Sequence, residues 1–199
     1  FLTELASAAP APGGGGGAAM AGALAAALAS MVANLTIGKE KFADREPEVK
    51  ELLEQAEAER VRLLALVDED AAVFNSFMSC YKLPKATDEE KAARTAAIRA
   101  AAKQAATVPL NIARSSFAVL QLADKLVVAG NPGVITDGAC SGLLARAALR
   151  CAEYNVRINL GLTKDEAWNA QAAAELKQLL ADAEALETRL LAVTDKALQ

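Results

Sequence analysis

The 199-residue sequence contains no histidine. That absence excludes a Ser-His-Asp triad, a Cys-His pair, a haem held by histidine and every histidine-containing zinc site. It also removes the usual proton carrier near neutral pH. Proton transfer must fall to a carboxylate, a lysine, a tyrosine, a cysteine, an oriented water or the substrate itself. Aromatic residues are scarce, at 4%, and the three cysteines, Cys80, Cys140 and Cys151, form no C-x-x-C pair. Thiols this few and scattered read as reduced, structural and cytoplasmic, not as a disulfide framework. Cys140 and Cys151 are three helical turns apart and are expected to fill one helix face. There is no basic excess either. With 21 Lys+Arg against 25 Asp+Glu the net charge is -4, which argues against nucleic acid as a partner.

Charge is missing altogether between Glu4 and Lys39. The stretch from Ala18 to Ile37 therefore has the length of a membrane span. A signal peptide is not expected, because the start carries Glu4 and no positive leader. A membrane is not the expected partner either. The segment is mostly Ala and Gly, and Met20, Leu24, Leu28, Met31 and Leu35 form a narrow seam at helical spacing. Small residues around that seam let other helices approach closely, so a central core helix is expected.

No run of alternating β-branched residues is present, and Ala, Leu, Glu, Lys and Gln dominate. Punctuation divides the chain into helices. Pro10–Gly17 reads as a loop entering the Ala-rich helix, with Gly38 as its C-terminal cap. Pro47 opens a second helix, expected to reach about Cys80. Thr87 and Glu90 have capping-box spacing for a third, which Pro109 is expected to interrupt before it resumes to about Ala129. After the turn Gly130–Gly133, Thr136 or Asp137 is expected to cap a helix reaching about Leu160. Thr163–Glu166 repeats the capping-box pattern and opens a last helix running close to Gln199. The expectation is one all-α domain over residues 1–199, an up-and-down antiparallel bundle of five or six long helices.

Some polar residues fall on faces that should be apolar. Asp70 shares a helix face with Leu63, Val67, Phe74 and Phe77, whereas Asp68 and Glu69 point elsewhere. A carboxylate there must be paired or hydrogen-bonded, either as a structural partner or as an acid/base group with a shifted pKa. In the helix after Asp137, Arg146, Arg150, Glu153 and Arg157 read as a solvated stripe. Asn155 and Asn159 continue the apolar face of Leu144, Ala148 and Ala152. Two carboxamides in that position either bridge to backbone or grip a heteroaromatic ligand. Asp137 precedes Asn155 by five turns, about 27 Å along a helix axis, so the two meet at one small group only if a partner chain brings in a second copy.

The glycine run is neither a Rossmann loop, since no strand precedes it, nor a P-loop, since Gly-Lys-Ser/Thr is missing. Gly14, Gly15 and Gly16 instead expose backbone N–H groups at the positive end of a helix, suited to a carboxylate or a polar ring edge. Lys39-Glu40-Lys41 follows the other end of that helix, either as complements to its dipole or as holders of an anionic tail. For metals the interior offers only Asp70 and Asp137, so no metal site is expected.

Five segments together are similar to one family. They are SAAPAPGGGGGAAMAGALAAALASMVANLTIGKEKF near the start, DEDAAVFNSF around Asp70, LPKATDEEKAAR from Leu83, GNPGVITDGA around Asp137 and NVRINL from Asn155. They resemble the cyclodeaminase/cyclohydrolase family of folate one-carbon enzymes and span most of the chain. Relatives commonly carry Ser near Gly16, where this chain has Gly. The resemblance implies a helical bundle, a homodimer, and a tetrahydrofolate derivative as substrate with no separate cofactor. Two activities are implied. The first-ranked is hydrolysis of 5,10-methenyltetrahydrofolate to 10-formyltetrahydrofolate; the other is cyclisation of 5-formimidoyltetrahydrofolate with loss of ammonia. The bifunctional form carries a second domain, for which this chain has no room. The candidate catalytic residues are Asp137, orienting water or the pteridine edge, and Asp70 or Lys39, moving the proton; Lys39 would have to be held neutral to act as base. Asn34 would hold the ring, and Lys39 or Lys41 the glutamate tail. A non-enzymatic helical scaffold is the rival reading.

Overall fold

Helix formers with clear start and stop signals yield helices and no strand. In the computed structural model, which describes residues 1–199, these are α1 (Leu2–Leu5), α2 (Gly14–Asn34), α3 (Glu46–Cys80), α4 (Asp88–Ala129), α5 (Ile135–Thr163) and α6 (Glu166–Ala197). Single turns of 3-10 helix lie at Glu40–Phe42 and Pro132–Val134. Each long helix packs against the next in sequence, and α2 also lies against α5 and α4. The chain is an up-and-down bundle of five long helices preceded by one short turn.

Local chemistry sets the boundaries. Thr87 Oγ1 accepts from the Glu90 N–H and the Glu90 carboxylate accepts from the Thr87 N–H, both at 3.2 Å, closing the expected capping box. The second box differs. Asp165 is the cap, accepting from the Trp168 N–H at 3.1 Å, because α5 runs on to Thr163 and Lys164 reverses the chain in a left-handed conformation, φ 56. At the start of α5 neither Thr136 nor Asp137 caps. The helix begins at Ile135, and Asp137 lies within its first turn as an acid at the positive end. Helix α2 begins inside the glycine run, at Gly14, and Gly38 takes φ 76 four residues beyond its end.

Pro109 does not interrupt α4, which passes through it over 42 residues. Proline supplies no N–H to the carbonyl four residues earlier. That orphaned carbonyl, Ala105 O, instead accepts from Asn159 Nδ2 at 2.9 Å, across from α5.

Helix α2 sits in the core as expected, and it does so through its small residues. Ala19, Ala25, Ala26, Ala29 and Ala33 are buried, and a Cβ on Gly22 would come within 3.0 Å of Leu63 and Ser116. Length and composition alone would let α2 cross a membrane, but these small-residue faces are packed inside the bundle. Most of its seam of larger side chains points away from the core: Leu24 is 55% exposed, and Met31 and Leu35 are exposed too, whereas Met20 is half-buried against the core. Helix α5, lying alongside, presents Leu143, Tyr154 and Ile158 to solvent. Cys140 and Cys151 lie on that outward side as free exposed thiols, so they are not core fillers; Cys80 is half-buried.

The charged stripe of α5 is solvated only in part: Arg150 and Arg157 are exposed as expected, but Arg146 and Glu153 are not. Glu153 is 7% exposed and pairs with Arg150 at 2.7 Å and Arg157 at 3.3 Å, while Arg146 pairs with Glu187 of α6 at 3.3 Å. Of these pairs only Arg146–Glu187 ties α5 to α6; the other two lie within α5. A second buried acid, Asp124 at 2% exposure, is held by Arg189, whose Nε donates at 2.8 Å. Neither Asp124 nor Glu153 stands out in the sequence as an interior carboxylate.

Candidate functional site

A cleft of about 400 Å³ opens where α2 begins. Its walls come from the loop before α2, from α3, from α4 and from the end of α5. Val73, Phe74, Phe77, Ala105, Ile158 and Leu162 make it apolar, and Gly13–Gly15, Asp70, Asn155 and Asn159 make it polar. No lysine or arginine lines it.

Asp70 is fixed by the glycine run. Its Oδ2 accepts from the Gly16 N–H at 2.9 Å, so the carboxylate closes the positive end of α2. The approach is close enough to demand glycine at 15, where a Cβ would fall 2.3 Å from Asp70 Oδ1. At Gly16 a Cβ would meet nothing nearer than 3.5 Å, so that position has room for a small side chain. Burial pushes the Asp70 carboxyl above the ordinary carboxylate range, and the Gly16 hydrogen bond draws it partly back. A carboxyl so placed changes protonation state nearer to neutrality than a surface aspartate does.

The two carboxamides both bridge to backbone and line the cleft. Asn155 Nδ2 donates to Cys151 O at 2.9 Å, and Asn159 Nδ2 donates to Ala105 O and to Asn155 O at 2.9 and 2.8 Å. Neither Oδ1 has a partner in the chain, which leaves two acceptors for ligand N–H groups. Asn155 also faces the glycines: its Nδ2 would lie 3.6 Å from a Cβ at Gly14.

Asp70, Gly14, Gly15, Asn155 and Asn159 therefore share one cleft, with Gly16 as the donor to Asp70. Asn34, Lys39, Lys41 and Asp137 do not reach it. They lie at the other end of α2, whose 21 residues span about 30 Å. There the turn before α5 is tied down, Asn131 donating to Leu35 O at 3.1 Å and to Thr36 Oγ1 at 2.8 Å. Lys39 and Lys41 are exposed, and Asp137 is half-buried in the first turn of α5.

The sequence profile of the formiminotransferase-cyclodeaminase family matches residues 1–178. The chain is 46% identical over 190 residues to the methenyltetrahydrofolate cyclohydrolase of Methylorubrum extorquens, covering 96% of this chain and 91% of that one. The chain belongs to this family. It is also 34% identical to the formimidoyltransferase-cyclodeaminase of Sus scrofa over 183 residues, 92% of this chain but 34% of that longer protein. The crystal structure of formiminotetrahydrofolate cyclodeaminase from Thermotoga maritima superposes with a TM-score of 0.89 at 30% identity, covering 100% of this chain and 96% of that one.

Sequence reasoning singled out the polar members of the cleft but not Ala105 or Ile158. Both carried a signal. Ala105 is the carbonyl that Pro109 orphans, and Ile158 lies one turn from Asn155 on the same helix.

Proposed function

We propose that the protein hydrolyses 5,10-methenyltetrahydrofolate to 10-formyltetrahydrofolate, with Asp70 as the proton carrier. The observation that carries this reading is a half-buried carboxylate, poised by the Gly16 N–H, at the floor of an apolar cleft large enough for a pterin. The methenyl carbon between N5 and N10 is already cationic and electrophilic, so the ionised Asp70 both attracts it and takes a proton from the attacking water. The water oxygen bonds that carbon, giving a tetrahedral carbinol. As the carbon–N5 bond breaks, Asp70 returns its proton to N5, and the hydroxyl proton leaves to solvent as the formyl carbonyl forms. General acid/base work of this kind is worth about 10²–10⁴-fold. Phe74 and Phe77 flank the ring, and the free carboxamide oxygens of Asn155 and Asn159 accept from its N–H groups.

The folate is substrate, and no metal or resident cofactor is assigned to the step. We place the enzyme in the cytoplasm as a homodimer, with neither nucleic acid nor membrane as partner. The exposed apolar stripe along α2 and α5 supports the dimer. Loss of the methenyl absorbance, followed with and without the protein, tests the activity, and Asp70→Asn should slow it by at least about 10²-fold. Turnover unchanged in that variant overturns the assignment of Asp70. Cyclodeamination of the 5-formimidoyl compound is the second reading, favoured by the Thermotoga maritima structure. Ammonia release from that substrate separates the two.

A further inference from the structure

We infer that Asn159 makes the cleft selective for 4-oxo pterins, whose ring carries a lactam N–H, and turns away the 4-amino ring that differs along that one edge. This deepens the folate reading above and rests on it. The flat faces of a pterin suit the apolar side chains of the cleft, so its edge must find the polar ones. Which edge fits is set by the atoms of those side chains that are still free.

Asn159 has no freedom left in its nitrogen. A carboxamide carries two N–H donors, and here one goes to Ala105 O at 2.9 Å and the other to Asn155 O at 2.8 Å. Ala105 O can take the first because Pro109, four residues on, offers it no N–H. Turning the carboxamide over would break both bonds and set Oδ1 against two carbonyl oxygens. The group is locked, and it presents only an oxygen to the cleft it lines. Asn155 is different. Its Nδ2 gives one N–H to Cys151 O at 2.9 Å and keeps the second, so it can meet a ligand as donor or as acceptor. Asp70 already has Oδ2 engaged by the Gly16 N–H, and it serves the proton. A ligand atom opposite Asn159 must therefore carry a hydrogen.

A 4-oxo pterin supplies one. Its N3–H donates to Asn159 Oδ1, and the adjoining 2-amino group donates to Asn155 Oδ1, one helical turn away. In a 4-amino ring N3 has no hydrogen and turns a lone pair outwards. Two acceptors then oppose each other. An adaptable carboxamide would rotate to suit; the locked one does not.

The test is equilibrium binding, which stands apart from turnover. The ligands are 5-formyltetrahydrofolate and its 4-amino analogue, compared by calorimetry at a pH where both rings are neutral. Wild type should bind the 4-oxo ring at least about tenfold more tightly. Asn155→Ala keeps the backbone carbonyl that holds Asn159, so it should weaken both ligands and retain the preference. Asn159→Ala should bind the two rings within about threefold of each other, with circular dichroism confirming the fold. Should that variant fail to fold, wild type decides: both Asn159 Nδ2 protons should be protected from solvent exchange in nuclear magnetic resonance spectra. Equal binding of the two rings by wild type, a preference that survives Asn159→Ala, or rapid exchange of those protons overturns the inference. A 4-oxo preference in a protein that leaves methenyltetrahydrofolate intact supports it and overturns the hydrolase reading alone. Binding of neither ring overturns both.

Discussion

Alanine at position 15 should leave the bundle standing and remove its chemistry. The added Cβ would lie 2.3, 2.6 and 2.7 Å from the Oδ1, Cγ and Oδ2 of Asp70, closer than any packed pair tolerates. Backbone is not what it strikes. The obstacle is a side-chain terminus, which escapes by rotating out of its bond to the Gly16 N–H. The lost hydrogen bond to a charged group costs about 1.5–3 kcal/mol. An interior helical alanine in place of glycine returns about 0.5–1 kcal/mol. The net loss of stability is therefore about 0.5–2.5 kcal/mol by these figures, or a fall in Tm of a few degrees for a chain of this size. Turnover should fall much further, by about 10²-fold or more, since a carboxylate displaced by over an ångström no longer meets the water. Gly17→Ala is the control: nothing lies within 4 Å of its Cβ, so it should raise Tm by a few degrees with kcat unchanged. Thermal unfolding and methenyl absorbance decay read both variants. Wild-type kcat in Gly15→Ala, or equal damage in Gly17→Ala, would refute the placement of Asp70.

Three further outcomes follow from the same contacts. Because burial raises the Asp70 carboxyl and the reaction needs it ionised, kcat/KM should climb with pH through a midpoint above the ordinary aspartate range, and Asp70→Asn should flatten that limb. The stability term has the opposite sign: a raised folded pKa adds stability at low pH that is lost as pH rises through it, so Asp70→Asn should melt higher than wild type near neutrality. Arg189→Ala strands the buried Asp124 carboxylate and should cost about 2–3 kcal/mol, below the figure for a fully buried pair because Arg189 stays largely in water. Its activity below the melting point should be that of wild type. Leu24→Glu, on an exposed position of the α2 stripe, should dissociate the proposed homodimer into a folded monomer in sedimentation.

The fold was legible where one local rule acted alone. The Thr87–Glu90 box, the start of α3 at Pro47 and the placing of Asp70 on an apolar face all follow from short-range spacing. What escaped depends on partners in other helices. Periodicity marks the seam Leu24–Met31–Leu35 but is silent on which way it points, because here the alanines make the tighter helix contacts and take the inside. Arg146 looks solvated until Glu187 of α6 is laid beside it. The far separation of Asp137 from Asn155 was readable from helix rise alone. That Asn155 goes with Asp70 was not, since nothing local says which ends of α2, α3 and α5 lie together.

A long helix with a missing rung is ordinarily a defect, and α4 keeps one at Pro109. The vacancy gives Asn159 a carbonyl to grip, so the orientation of a cleft wall is written into the backbone of a neighbouring helix. Restoring the rung with alanine would stiffen α4 and make the carboxamide share its carbonyl with a helix N–H. The protein thus gives up one rung of its longest element and gains order at the cleft wall.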